Sequence, residues 1–296
     1  MANSSILTAL EDGYRFAFQA MASPCEVRID TPEADLALRL GLVVETEARR
    51  IEQSFSRYSD DNVVARINRA NGEPVCVDDE TAALIDYAEQ INRVSEGRFD
   101  ITSGVLRRLW RFDGSDRVPA KAAVRALLPL IGWNKVVWRR PALTLRPGME
   151  IDFGGVAKEY AVDRCLEKIK AFASVPALVN FGGDLRVSGL RANGARWRVA
   201  IESVDRAGAS EGVIELAEGA LTTSGDSRRF LMKDGVRYSH ILDPRTGWPV
   251  KEPPRSVTVA APTCVEAGLL STLAMMHGRR AEAFLEREGV KAWCVR

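Results

Sequence analysis

Five short segments of the 296-residue chain carry residue types that could do chemistry. Ser239-His-Ile-Leu-Asp-Pro-Arg-Thr-Gly247 places one of only two histidines at a strand end, ahead of Asp-Pro and Arg-Thr-Gly turn residues. An imidazole titrates near neutrality, so His240 could serve as a general base; the alternative is a structural histidine tied to a turn carboxylate. His277, late in a helix with no acidic partner in register, is assigned to structure or surface. Ile151-Asp-Phe-Gly-Gly-Val-Ala-Lys158 runs from a strand through two glycines into a helix. Backbone N–H groups at a helix start, approachable because glycine lacks Cβ, suit a phosphate, and Lys158 adds a point charge beside them. The segment matches neither GxxxxGK[ST] nor GxGxxG, and a plain strand–helix turn with an exposed lysine is the other reading.

Asn180-Phe-Gly-Gly-Asp184 and Thr222-Thr-Ser-Gly-Asp226 each close a β candidate in small residues followed by an acid. They are either cleft lining, with carboxylates and hydroxyls set for a metal or a ribose, or two ordinary hairpin turns. Gly97–Thr102, followed by Leu109-Trp-Arg-Phe112, puts aromatic rings beside a polar turn. Such rings stack on a planar ligand or pack in a core.

Composition narrows what these segments can serve. With 46% hydrophobic and 27% charged residues the chain is an ordinary globular protein. Lys plus Arg is 41 against 40 Asp plus Glu, a net charge of +1, which leaves no electrostatic footprint for nucleic acid or an anionic membrane. Two histidines exclude a multi-histidine metal site, and five scattered cysteines without a CxxC pair argue against a disulfide framework or a thiolate zinc site. No signal-like segment opens the chain and no apolar run is long enough for a membrane helix, so a cytoplasmic protein is expected.

The elements that must position the five segments follow from periodicity. Tyr14–Asp30 reads as a strand, and residues 1–13 as a loose start. Pro32 opens a long amphipathic helix with Leu36, Leu38, Leu40, Val43, Val44 and Ile51 turned inward. Asp78 or Asp79 caps a second helix ending at Gly97. Pro119–Ile131 reads as a third, followed by β candidates at Trp133–Trp138, Ala142–Arg146 and Met149–Phe153. Ala157–Phe172 is helical. Further strands are expected at Ala177–Phe181, Trp197–Glu202, Gly212–Leu216, Arg229–Met232, Arg237–Ile241 and Ser256–Ala260, with a hairpin turn at Lys233-Asp-Gly235. A helix from Val265 to Glu288 precedes a last strand, Ala292–Val295. Strands and helices without regular βαβ alternation indicate an α+β fold, and the lack of a linker or repeat favours one unit over residues 14–296.

Taken in order, these pieces resemble the ApbE family, the FAD:protein FMN transferases. The matching segments are Ala20–Cys25, Ser56-Arg-Tyr58 with Ile67-Asn68, Gly97–Thr102 with Leu109-Trp110, Asp152–Asp163, Asn180–Asp184, Thr222–Asp226, Ser239–Gly247 and Ser256–Thr272. Each is weak alone; the ordered set, covering nearly the whole chain from about Phe16, is specific. The resemblance implies a single α+β unit of two related halves, with mixed or antiparallel sheets flanked by helices, binding FAD in a cleft between them. It implies Mg²⁺-assisted cleavage of the pyrophosphate, transfer of FMN to a Thr or Ser hydroxyl of an acceptor protein, and release of AMP. Carried onto this sequence, Met21, Trp110, Arg111, Phe112, Asp152, Lys158 and Leu242 become flavin-nucleotide contacts and His240 the base. Gly155, Ser271 and Thr272 become the metal set.

Two positions depart from the family pattern. Where the final helix usually reads Ala-Asp-x-x-x-Thr, this chain has Ala267-Gly-Leu-Leu-Ser-Thr272, so Gly268 replaces a metal-binding carboxylate. Positions 268 and 272 share a helix face, whereas Glu266 lies roughly 200° round from 268. Glu159 stands where many members have glycine. A weakened Mg²⁺ site is the expectation, with a catalytically quiet FAD-binding relative, or an FAD pyrophosphatase yielding FMN and AMP, as competing readings.

Overall fold

In the computed structural model, which describes residues 5–204, 206, 210–226 and 229–296, eight strands form one sheet. They are β1 (Ile6–Leu10), β2 (Gly13–Ala20), β3 (Ser23–Ile29), β4 (Ala177–Phe181), β5 (Asp184–Val187), β6 (Gly219–Gly225), β7 (Ser256–Ala261) and β8 (Lys291–Val295). Every neighbouring pair is antiparallel and the spatial order follows chain order. The helices are α1 (Ala34–Phe55), α2 (Val63–Arg69), α3 (Asp79–Val94), α4 (Lys121–Leu127), α5 (Ala157–Phe172), α6 (Cys264–Met276) and α7 (Ala281–Glu288). None of the described helices is long and apolar enough to cross a membrane.

The period-two pattern of the strands divides the sheet residues between two cores. Phe16, Phe18, Cys25, Val27, Ile29, Val179 and Phe181 lie in the core with α1, α5 and α6, α5 packing against both other helices. Leu178, Leu185, Val187 and Leu221 point the other way, under Trp197, Ile214 and Leu216 of the hairpin Trp197–Glu202/Ser210–Leu216. A third cluster, built on Val105, Leu106, Trp110, Val124, Ile131 and Leu231, ties the loops at one edge of the molecule.

Several sequence expectations change. Residues 6–10, read as loose, pair with β2 as an edge strand, while residues 1–4 lie outside the described residues. The single strand over Tyr14–Asp30 is a hairpin. It turns at Met21-Ala22, both left-handed (φ 52° and 54°) although neither is glycine, and the Met21 N–H donates to Glu52 Oε1 at 2.8 Å. Met149–Phe153 is not a strand: the Asn68 side chain brackets Ile151, donating to its carbonyl at 3.0 Å and accepting from its N–H at 2.8 Å, so a side chain replaces a neighbouring strand. Thr222–Gly225 is the body of β6 and not a turn. The long last helix breaks into α6 and α7 at Gly278, where φ is +59° and a Cβ would come 2.5 Å from the Lys251 carbonyl oxygen. His277 is the C-cap of α6 and stacks on Phe284 at 4.5 Å.

The buried stripe of α1 is Ala37, Leu40, Gly41, Val44, Ala48, Ile51 and Phe55, spaced at three and four; Leu38 is left exposed. Gly41 lets the Phe16 ring of β2 lie directly against the helix axis, where a Cβ would land on the ring. Gly41→Ala therefore sets a helix-propensity gain of about 1 kcal/mol against overpacking of roughly 1–3 kcal/mol. We expect the clash to win and the thermal midpoint to fall by a few degrees, measured by circular dichroism; a rise would show that Phe16 can move aside freely.

Candidate active site

Each wall of the site is anchored by a side chain that satisfies backbone groups left open by irregular structure. On the first wall, the loop before α5 is held by Asn68 and by the Asp152 N–H, which donates to the Ile101 carbonyl at 2.9 Å. Asp152 in turn accepts from the Gly154 N–H through Oδ1 at 2.8 Å and pairs through Oδ2 with Arg57 at 2.5 Å. The two glycines expected as a phosphate seat are exposed at this bend, and a Cβ on Gly155 would press on the Phe99 ring at 3.0 Å.

The second wall is the β4–β5 turn. Gly182 and Gly183 both have positive φ (63° and 101°), the Gly183 N–H donates to Asn180 Oδ1 at 2.9 Å, and Asp184 is turned inward. Asp184 meets Lys158 at 2.6 Å and accepts from the Thr223 N–H at 3.2 Å. Lys158 is therefore committed to a carboxylate, and reaches a phosphate only as part of that pair.

α6 forms the third wall. Its first N–H groups, from Cys264 and Val265, donate to the two carboxylate oxygens of Asp163 on α5, both at 2.9 Å, and Thr263 caps the Glu266 N–H. Two turns further in, the hydroxyls converge: Ser224 lies 2.8 Å from Ser271 and 3.1 Å from Thr272, and Thr222 lies 3.4 Å from Ser271. Ser271 is fully buried and also donates to the Gly268 carbonyl, while Thr272 keeps some exposure. Beside them runs Glu159, whose carboxyl is pushed above the usual range first by burial and then by the nearby Asp184. No group of three or more His, Cys, Asp or Glu side chains gathers as a metal cluster among the described residues.

The fourth wall carries the histidine. His240 Nδ1 lies 3.1 Å from the Arg229 carbonyl oxygen, which can only accept, so Nδ1 holds the proton and Nε2 is the basic nitrogen. Phe112 approaches the imidazole edge-on at 6.2 Å and stacks on Trp110 at 5.6 Å with ring planes 2° apart. Trp110 donates through Nε1 to the Gly247 carbonyl at 2.9 Å and meets Trp248 edge-on at 5.3 Å. Both short strands of that turn, Leu242–Asp243 and Trp248–Pro249, are thereby pinned.

The structure thus pairs Lys158 with Asp184, brings Ser271 and Thr272 together at Ser224, and sets Asp152 on Arg57. Trp110, expected to touch a flavin, is 4% exposed with Phe112 over one face, and it buttresses Phe112. Phe112 and Leu242 remain partly open, Arg111 is exposed, and Met21 sits in the β2–β3 turn packed against the main core. Arg57 and Asn68 have no role from the sequence beyond matching the family pattern, Glu159 stands there only as a departure from it, and Asp184 and Ser224 enter only within segments offered as cleft lining or turns. Arg57 and Asn68 could have been found only as polar residues in otherwise plain segments, since their partners lie far along the chain.

Burial first, and then the charge of Arg229, lower the His240 pKa from the usual 6.5. The fold therefore favours the neutral ring. The stability that depends on it is complete above about pH 6.5 and declines as pH falls toward the folded value. We expect NMR of the ring protons to show His240 titrating below 6.5; a value at or above it would mean that water reaches the ring freely.

Comparison with known proteins agrees with this architecture. The sequence profile of the ApbE family matches residues 21–294. A "FAD:protein FMN transferase" of Vibrio cholerae serotype O1 is 34% identical over 244 residues, 80% of this chain and 73% of that protein. One of Salmonella typhimurium is 31% identical over 275 residues, covering 89% and 78% respectively. Among solved structures, the ApbE protein of Thermotoga maritima superposes with a TM-score of 0.86 at 29% identity, over 98% of this chain and 94% of that one. The apo flavinyl transferase ApbE of Pseudomonas stutzeri gives 0.83 at 30% identity, over 99% and 92%. With a profile match across almost the entire chain and relatives above 30% identity, the chain belongs to the ApbE family.

Proposed function

We propose that the protein transfers FMN from FAD to the hydroxyl of a Thr or Ser side chain in an acceptor protein and releases AMP. The acceptor oxygen attacks the phosphorus of the FMN half, the bond from that phosphorus to the bridging oxygen breaks, and AMP leaves with that oxygen. The observation that carries the reading is the tautomer of His240: with Nδ1 tied to the Arg229 carbonyl, Nε2 is set to take the acceptor's proton. A ring kept neutral by burial is ready for that step at pH 7.

The other residues bind and orient. The bend at Gly154 and Gly155, where Asp152 already holds the Gly154 N–H, offers the Gly155 N–H to a phosphate, next to the Lys158–Asp184 pair. Arg57, fixed on Asp152, adds positive charge close enough to influence His240. Phe112 and Leu242, backed by Trp110, would give an apolar border for an isoalloxazine ring, and the family pattern adds Met21 and Arg111 as contacts. The chemistry of the donors fits a hard cation such as Mg²⁺: the hydroxyls of Thr272 and Ser271 and the Gly155 carbonyl are all oxygen, and the buried Oε2 of Glu159 has no hydrogen-bond partner among the described residues. When bound, the cation would neutralise charge that develops on the phosphates. Five free cysteines are consistent with action in the cytoplasm.

Gly268 favours one other reading, an FAD-binding protein without turnover, because a carboxylate is missing from α6. Incubation of the purified protein with FAD, Mg²⁺ and a threonine-containing acceptor peptide distinguishes them, with AMP followed by chromatography and covalent flavin by fluorescence. We expect both products to appear together, and His240→Ala to slow them by roughly 10²–10⁴ while FAD binding changes little. FMN and AMP without labelled peptide would mean hydrolysis; bound FAD with no AMP would mean a binding protein.

A further inference from the structure

Glu159 and Gly268 are one feature. Glu159, in the first turn of α5, sends its side chain across to α6 and lays it over Gly268: a Cβ built on that glycine would come 2.6 Å from Glu159 Cγ and 3.1 Å from both Cδ and Oε1. The space that a side chain at 268 would use is filled by the side chain from 159. A residue larger than glycine at 268 would force the Glu159 side chain out of this position.

The carboxylate has little to hold it there. Its Oε2 is sealed from solvent and has no hydrogen-bond partner among the described residues. Native folds seldom leave a buried carboxylate oxygen unpaired unless something else completes it. Protein cations nearby are already committed: Lys158 is paired with Asp184 at 2.6 Å, and Arg186 with Asp163 at 3.1 Å. Of the other titratable groups that face this spot, the Cys264 thiol is pushed well up by burial and stays neutral, and Tyr87 is likewise pushed up by burial. Once Glu159 is ionised, as a bound cation would require, Glu159 and Asp184 against Lys158 leave one negative charge unmatched. Thr272 sits one turn along the same face of α6 from Gly268, with Ser224 and Ser271 adjoining it. An unmatched carboxylate beside hydroxyls is an all-oxygen donor set for a hard divalent cation.

We propose that Glu159 is the carboxylate ligand of the divalent cation in this chain, delivered from α5 onto the place on α6 that Gly268 leaves open. The identity of the cation as the one used in FMN transfer rests on the function proposed above. The donor set does not, because it follows from the unpaired oxygen and its neighbours. Divalent-cation binding is then a property of a residue pair: either a carboxylate grows from 268 with a small residue at 159, or glutamate at 159 reaches over glycine at 268.

Mn²⁺ titration of the full chain in the presence of FAD, with free Mn²⁺ read by electron paramagnetic resonance, tests this without reference to turnover. We expect Glu159→Gln and Glu159→Gly each to weaken Mn²⁺ binding at least tenfold, and the double variant Glu159→Gly/Gly268→Asp to recover it to within about threefold of the parent. Gly268→Asp alone should melt several degrees lower, because the two side chains collide, and adding Glu159→Gly should remove that loss. Parent-like Mn²⁺ affinity in both Glu159 variants, or no Mn²⁺ binding by the parent chain, overturns the proposal. If Mn²⁺ binding follows Glu159 while no AMP or labelled peptide forms, the transferase reading fails and the ligand assignment stands. If transfer proceeds and the Glu159 variants bind Mn²⁺ normally, the reverse holds.

Discussion

The carboxylate of Asp163 is the interaction on which the rest of the site depends. Residing on α5, it accepts the first two free N–H groups of α6 and also meets Arg186 of β5. A helix start carries orphan donors and a partial positive charge, so one half-buried carboxylate fixes the rotation and height of α6 against α5 and ties both to the sheet. The small distances that matter then follow. Glu159 reaches Gly268, Ser224 of β6 reaches Ser271 and Thr272, and Lys158 reaches Asp184.

Around the histidine the constraint is aromatic. His240 is too short to position itself across a cleft, and its ring is set by one backbone carbonyl and one phenylalanine edge. Phe112 is held in turn by Trp110, whose indole N–H closes on Gly247 of the turn that follows the histidine. Buried aromatic rings bring large apolar area and few rotamers, which suits a base whose working nitrogen must stay in one place.

Much of this was legible in the chain. The helix Ala157–Phe172 and the strands Ala177–Phe181 and Trp197–Glu202 fall where the sequence pattern places them, because the helix and the last strand each have one buried face and Ala177–Phe181 is a short, mostly apolar run buried on both. The Gly182-Gly183 turn has a composition that admits positive φ. The misses share a cause: a distant partner overrode the local pattern. Met21-Ala22 turns left-handed without glycine because strand pairing on both sides and Glu52 hold it. Met149–Phe153 has a strand's alternation, yet its backbone is satisfied by the side chain of Asn68. Glu159 and Gly268 each stand out in sequence as separate oddities; only the packing of α5 on α6 makes them a single substitution.

A sheet whose spatial order repeats its chain order still has one long interruption. β3 ends at Ile29, and the strand that covers its free edge begins at Ala177. During synthesis the first three strands can zip together as local hairpins, but the outer N–H and C=O groups of β3 must wait until most of the helical layer has been made. An uncovered strand edge is a template for association between chains, so the interval between those two points is where a slowly translated or overproduced copy of this protein is most exposed to aggregation.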